Sequence, residues 1–331
     1  MRSPPAATPR GDARLRRTPA LRELLAPPEL GPEHLVYPVF VRPGSGPPEP
    51  IRSMPGQERY PIEGFDRTAR SLLRDGVRAV LLFGVPRRKD ATGREASEDR
   101  GAVVRAIRTL RRTVPELVVF ADVCLCAYTP HGHCGIVRDG AIDGPATRAR
   151  LGEIAVAYAR AGADLVGPSA SQDGQVAAVR AALDAAGFPQ TGILAYSAKA
   201  ASALYGPFRE AEESAPAFGD RRGYQFDPRR GRAAVAAFRR DAEEGADILM
   251  AKPALPNLDI LARVRGESDL PLAAYQVSGE YAMIRAAERA GWIDGPRVRD
   301  ETLAAIQRAG ADLIVTYFAR EIARERGGGA G

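Results

Sequence analysis

Eight short apolar runs constrain the fold of this chain more than any other feature. They are Val36–Val41, Ala79–Val85, Leu117–Leu125, Asp164–Ser169, Ile193–Ser197, Ile248–Lys252, Leu272–Val277 and Leu313–Phe318. Each is nearly continuous in apolar character rather than alternating, the pattern of a parallel strand covered on both faces. Between the runs, apolar residues recur at helical spacing, as at Leu151, Ile154, Ala155 and Tyr158, or Ala69, Leu72 and Leu73. Five of these helical stretches stop at a glycine just before the next run: Gly76, Gly162, Gly187, Gly245 and Gly310. Glycine past a helix end takes the left-handed conformation that other residues resist. Eight strand–helix units in a chain of 331 residues predict an α/β fold, a (β/α)8 TIM barrel. The competitor is a doubly wound open sheet. It would place a Gly-rich phosphate loop after the first strand, and Val39-Phe40-Val41-Arg42-Pro43-Gly44 is not one.

Residues 1–32 read as an extended N-terminal arm. Prolines at 4, 5, 9, 19, 27, 28 and 32 break regular structure there, leaving a short helix over Pro19–Ala26. The barrel is expected over residues 33–325 and a frayed Gly-rich tail over 326–331. Between the fifth and sixth runs lies an insertion, residues about 203–228, with Gly206-Pro207, Ala215-Pro216 and Gly219 to Gly223. A long irregular loop on the catalytic face of a barrel predicts a lid. No apolar run approaches the roughly 18 residues that span a bilayer. The Pro- and Arg-rich N-terminus lacks the apolar core of a secretory signal, so the expectation is a cytoplasmic enzyme. The net charge is +6, but the arginines are scattered rather than gathered in a stripe, so no nucleic-acid partner is expected.

Against that background two residue types stand out. Among 47 basic residues only three are lysines, Lys89, Lys199 and Lys252. Lys89 lies in a charged Pro-Arg-Arg-Lys-Asp stretch and reads as solvated; Lys199 and Lys252 directly follow apolar runs. Lysine can lose its proton and act as an amine nucleophile, which arginine cannot. Two lysines close together at a barrel mouth would depress one another's pKa. An ion pair with Asp122 or Asp247 is the plainer use. All three cysteines, Cys124, Cys126 and Cys134, fall within eleven residues, spaced C-x-C-x7-C. In an extended strand residues i and i+2 share a face, so Cys124 and Cys126 can bind one ion, and a Pro-His-Gly-His turn delivers Cys134. Thiolates favour zinc. Three protein ligands leave a fourth position open, which His131 or His133 could also fill.

The barrel adds a geometric expectation, because catalytic residues sit at the C-terminal ends of its strands. Cys124 and Cys126 close the third run, Ser169 the fourth and Lys252 the sixth; Lys199 follows the fifth, Ser278 the seventh, and Tyr317 lies near the end of the eighth. In the lid, Arg209, Arg221 and Arg222 are carboxylate-clamp candidates, with Arg222 read as ordinary surface charge.

Several long stretches then resemble the porphobilinogen synthase (5-aminolevulinate dehydratase) family. They include Ser53–Tyr60, Asp122–Cys134, Tyr196–Glu210, Ala217–Gln225, Gly245–Pro253, Ala274–Glu280 and Asp312–Tyr317. The resemblance implies a hydro-lyase that condenses two 5-aminolevulinate molecules into porphobilinogen with loss of two waters, in tetrapyrrole (haem) biosynthesis. It implies that Lys252 forms a Schiff base with the first substrate, whose carboxylate meets Ser278, Tyr317 and Tyr275. Lys199 would hold the second, whose carboxylate meets Arg209, Arg221 and Gln225, with Tyr205 and Phe208 also lining the site. Asp122 and Ser169 would assist proton transfers, and the three cysteines place the chain with the zinc type. Where some members carry a glutamate for an allosteric magnesium, this chain has Ala237, so no such ion is expected. Ala170-Ser171-Gln172 also departs from the family's Asp-Met-Met. Family members form octamers through the arm. A Schiff-base aldolase on a similar barrel is the rival, but it needs one lysine and no thiol cluster.

Overall fold

A computed structural model describes residues 15–26 and 31–327. The rest of the predicted arm and residues 328–331 of the predicted tail lie outside the described residues. The eight runs form eight strands: β1 (Leu35–Arg42), β2 (Ala79–Gly84), β3 (Val118–Val123), β4 (Leu165–Pro168), β5 (Gly192–Lys199), β6 (Ile248–Lys252), β7 (Leu272–Gln276) and β8 (Leu313–Thr316). They pair in parallel in chain order, and β8 returns to β1 through Leu35↔Ile314 and Val36↔Val315. That last pairing closes the sheet into a barrel and excludes the open doubly wound alternative. The strands are buried along nearly their whole length, as their unalternating sequence requires.

Helices cover the outside: α2 (Phe65–Arg74), α3 (Ala102–Thr113), α4 (Gly144–Ala161), α5 (Gln175–Ala185), α7 (Gly231–Glu243), α8 (Leu258–Arg265), α9 (Ser278–Arg289), α10 (Gly295–Arg308) and α11 (Ala319–Gly327). Lid helix α6 (Gly206–Glu212) belongs to the barrel unit as well, and the described part of the arm, a separate unit, carries α1 (Pro19–Leu24), capped by the Thr18 hydroxyl. The five helix-ending glycines all sit at positive φ, from 81° at Gly187 to 113° at Gly310, so the chain reverses there without the strain a side chain would add. Helix α11 runs to Gly327, two residues into the stretch expected as tail, because Arg324 and Arg326 still find acidic partners at Asp75 and Asp300. The lid expected as irregular loop carries a helix, since Gly206-Pro207 supplies a proline at the first turn. Short hairpins at Glu49–Pro50 with Glu58–Pro61, and Val137–Arg138 with Ala141–Ile142, escaped the sequence reading. Among the described residues no helix is long and apolar enough to cross a membrane.

One irregularity matters for the site. Strands β5 and β6 pair Leu249↔Ala195, then Ala251↔Ala198 and Lys252↔Lys199, so β5 holds one extra residue around Tyr196-Ser197. Side chains alternate faces along a strand, so an unbroken register would set Lys252 beside Ala198 and turn Lys199 outward. The bulge therefore puts both lysines on the same face of the barrel, side by side.

Candidate active site

Both lysines are buried and point into the barrel mouth. Lys252 Nζ sits over aromatic rings, 4.1 Å from the centroid of Tyr275, 4.9 Å from Phe208 and 5.0 Å from Tyr196. Burial, reinforced by the neighbouring Lys199 charge, brings its pKa down to about 7. The Lys199 ammonium donates instead to the Ser169 carbonyl. Its pKa is raised: burial opposes its charge, but the sulfurs of Cys134, Cys124 and Cys126 and the Asp122 carboxylate outweigh that. The mutual depression expected of the pair thus holds for Lys252 only, because Lys199 faces the thiols. Asp247 pairs with neither; its carboxylate accepts from the Ile193 amide.

Cys124, Cys126 and Cys134 are free, buried, and bring their sulfurs within 4.8 Å of one another. The expected route differs from the observed one. Strand β3 ends at Val123, so Cys124 and Cys126 meet through the turn that follows, with sulfurs 3.4 Å apart, and not through strand periodicity. Three buried thiols cannot all ionise unaided. Cys134 is held well below the ordinary thiol value by hydrogen bonds from Cys124 and Cys126. Cys124 is pushed up to about 12: a hydrogen bond from Cys126 helps its thiolate, but the bond to Cys134 and burial outweigh it. A soft divalent cation between the sulfurs would remove that conflict, so the donor set fits a metal ion, zinc among them. Neither histidine joins the set. His133 uses both ring nitrogens, Nδ1 with the Tyr224 hydroxyl (3.1 Å) and Nε2 with the Phe218 carbonyl (3.0 Å). His131 Nδ1 accepts from the His133 amide at 3.0 Å.

Several buried polar groups around the lysines lack partners. Asp122 Oδ2 accepts from the Ser169 hydroxyl at 3.1 Å, while Oδ1 has none. Burial raises the Asp122 pKa, against the pull of both lysines. Both amide atoms of Gln225 are unpartnered, as are Nε of Arg209 and Nε of Arg221. The Arg209 pKa is lowered by burial and by the adjacent Arg221 charge. Two neighbouring guanidiniums and a free amide describe a seat for an anion. Arg221 is further fixed by donating to the carbonyls of Gly132 (2.8 Å) and Ser214 (2.5 Å). Arg222 is exposed and pairs with Asp220, as its surface reading requires. A cavity of about 390 Å³ opens beside Lys199, lined by Tyr196, Ser197, Gln225 and Gln172 among others; Ala237 of α7 is on its wall.

On the opposite side of the mouth, the Tyr275 and Tyr317 hydroxyls lie 3.1 Å apart. Ser278 opens α9, accepts from the Phe208 amide (3.0 Å) and donates to the Leu204 carbonyl (3.2 Å), tying that helix start to the lid. The Tyr205 hydroxyl donates to the Lys252 carbonyl at 3.1 Å. The mouth thus gathers both lysines, the three thiols, Asp122, Ser169 and the aromatic and hydroxyl groups around Lys252, whereas Arg222 and Lys89 are exposed and Asp247 binds at the start of β5. Sequence reasoning missed two more. Tyr196 packs against both lysines; Glu212 is buried with its Oε2 3.4 Å from Cys126 Sγ. Tyr196 lies in the fifth apolar run, but its inward direction depends on the extra residue there, and nothing in the sequence separates Glu212 from Glu210 and Glu213. Lys89, read as solvated, donates to the Glu213 carbonyl although exposed.

Fold and site together define a class: a (β/α)8-barrel enzyme with paired buried lysines beside a thiol cluster able to hold a metal ion. Residues 10–325 match the family model "Delta-aminolevulinic acid dehydratase". The chain is 48% identical over 320 residues to a delta-aminolevulinic acid dehydratase of Archaeoglobus fulgidus, covering 97% of this chain and 99% of that protein. It is 46% identical over 313 residues to the Escherichia coli protein of the same name, covering 95% and 96% respectively. A crystal structure of the Toxoplasma gondii delta-aminolevulinic acid dehydratase (porphobilinogen synthase), in complex with the reaction product porphobilinogen, superposes with a TM-score of 0.93. The two chains are 41% identical, and the match covers 96% of this chain and 92% of that one. The chain belongs to the delta-aminolevulinic acid dehydratase family and is an enzyme of the lyase class.

Proposed function

We propose that this enzyme condenses two 5-aminolevulinate molecules into porphobilinogen with loss of two waters, a step of tetrapyrrole (haem) biosynthesis. The observation that carries the reading is the in-register pair Lys199↔Lys252 on one face of the barrel, two amines for two ketone substrates. Lys252, with a pKa of about 7, is neutral in good part at neutral pH and attacks the first ketone; the carbinolamine loses water to give a Schiff base. Tyr275, Tyr317 and Ser278 receive that substrate's carboxylate, with the Phe208 and Tyr205 rings closing over its chain. Lys199 anchors the second substrate, whose carboxylate is held by Arg209, Arg221 and Gln225, their unpartnered groups being the support for this assignment. Before attacking, Lys199 passes its proton away, and Asp122, with one oxygen free and one on Ser169, is placed to take protons as bonds form.

Cys124, Cys126 and Cys134 would hold the zinc ion, which supplies Lewis-acid polarisation of the second substrate when bound. Ala237 offers no carboxylate for a second, magnesium site. The arm, with Leu15, Leu24 and Leu25 exposed, is assigned to oligomer formation, as an octamer, and the enzyme to the cytoplasm. The test is direct. Purified protein given 5-aminolevulinate should form porphobilinogen, lose that activity to a chelator, and regain it with zinc. No product from the zinc-loaded protein would overturn the proposal.

A further inference from the structure

Three glutamates cluster at the end of lid helix α6, at 210, 212 and 213, and only Glu212 is buried, with 2% of its surface exposed. Its position is fixed from both sides. Arg59 donates to the carbonyls of Glu210 and Ala211, both at 2.6 Å. Lys89 donates to the carbonyl of Glu213, and Arg221 to that of Ser214. Glu213 adopts φ 53°, a left-handed conformation that costs a non-glycine residue on the order of 1 kcal/mol and persists only where the surroundings impose it. The result is a helix end whose last turn aims one carboxyl group inward, where its Oε2 lies 3.4 Å from Cys126 Sγ. Glu212 is not among the atoms that lie mutually within 4.8 Å as candidate metal donors. It stands behind one of them.

We propose that Glu212 is a positioning residue of the thiol cluster: it accepts the Cys126 S–H in the metal-free site, takes that proton as the sulfur binds the metal ion, and then donates it back as a hydrogen bond to the thiolate, which fixes that sulfur and couples the lid to the metal centre. The inference rests on the reading of the three cysteines as a metal site. Groups that bond a ligand atom from outside orient it and tune the ion, and losing one costs about 10- to 100-fold in metal affinity. The coupling follows from the chain path, because Glu212 belongs to the same helix as Arg209, the proposed partner of a substrate carboxylate. A lid that fails to pack would withdraw the bond to Cys126.

The experiment uses the full-length enzyme with Glu212→Ala and Glu212→Gln. Zinc affinity is measured by competition with a chromogenic chelator, and cobalt(II) replaces zinc to report thiolate-to-metal charge-transfer absorption. Glu212→Ala should bind zinc at least about tenfold more weakly and show an altered cobalt band, while Glu212→Gln, which keeps a hydrogen-bonding group, should recover to within about threefold. Reductive trapping of 5-aminolevulinate on Lys252 at wild-type level in both variants shows that the barrel is intact. Glu212→Ala with wild-type affinity and spectrum overturns the inference alone, as does Glu212→Gln no better than Glu212→Ala. A wild-type enzyme that binds neither metal at the cysteines overturns the metal reading itself, and the inference with it.

Discussion

The buried amine of Lys252 makes the sharpest quantitative prediction. Its pKa of about 7, against 10.5 for an ordinary lysine, is set first by burial among Tyr275, Phe208, Tyr196 and Tyr205, and second by the Lys199 charge. At pH 7 about half of Lys252 is neutral, whereas an ordinary lysine would be neutral in about 3 molecules per ten thousand, a gain of roughly a thousandfold in nucleophile. Raising the pH from 6 to 8 should take the neutral fraction from about 0.1 to about 0.9 and then level off. The assay is the initial rate of cyanoborohydride trapping of 5-aminolevulinate on the Lys252 peptide, read by mass spectrometry across pH 6 to 9. The trapping rate should follow a sigmoid with its midpoint near 7, and Lys199→Met, which removes the neighbouring charge, should move that midpoint to higher pH. A rate that climbs about tenfold per pH unit throughout, with no plateau, would refute the assignment.

Further outcomes follow from the same site. The folded pKa of Lys252 is below its unfolded value, so the fold pays a charging penalty that is full below about pH 7, shrinks between 7 and 10.5, and vanishes above. Lys252→Met should therefore be more resistant to urea than the wild type at pH 6, by an amount on the order of a few kcal/mol, with the gap narrowing steadily toward pH 10; a gap independent of pH would contradict the burial argument. Gln225→Ala and Arg209→Ala each remove a group proposed to meet a substrate carboxylate, and charge-assisted bonds of this kind contribute about 1.5–3 kcal/mol. Each should raise KM for 5-aminolevulinate by about 10- to 100-fold with a smaller effect on Lys252 trapping; an unchanged KM would remove that residue from the clamp.

The barrel was legible because its determinants are local. Unbroken apolar runs such as Leu313–Phe318 mark strands buried on both faces, and glycines such as Gly162 mark helix ends by their φ of 107°. The residues of the site were legible because they end those strands. The way they meet was not. Nothing in Ile193–Ser197 announces an extra residue, since a bulge in a fully apolar strand leaves the pattern unchanged, yet that residue sets Lys199 beside Lys252. The cysteines were found for an incomplete reason: strand periodicity suggested a shared face, and the turn after Val123 supplies it. The exclusion of His133 from the cluster depends on Tyr224 and the Phe218 carbonyl, far away in sequence. Glu212 was hidden among like residues, and only the tied end of α6 separates it from Glu210 and Glu213.

The central claim, two amines for two substrates, is tested most directly by mapping which lysines trap substrate. Zinc-loaded enzyme incubated with 5-aminolevulinate and reduced with borohydride should carry the substrate adduct on Lys252, and at saturating substrate on Lys199 as well, with Lys89 unmodified. Adducts confined to one of the two, or absent from both, would contradict the account.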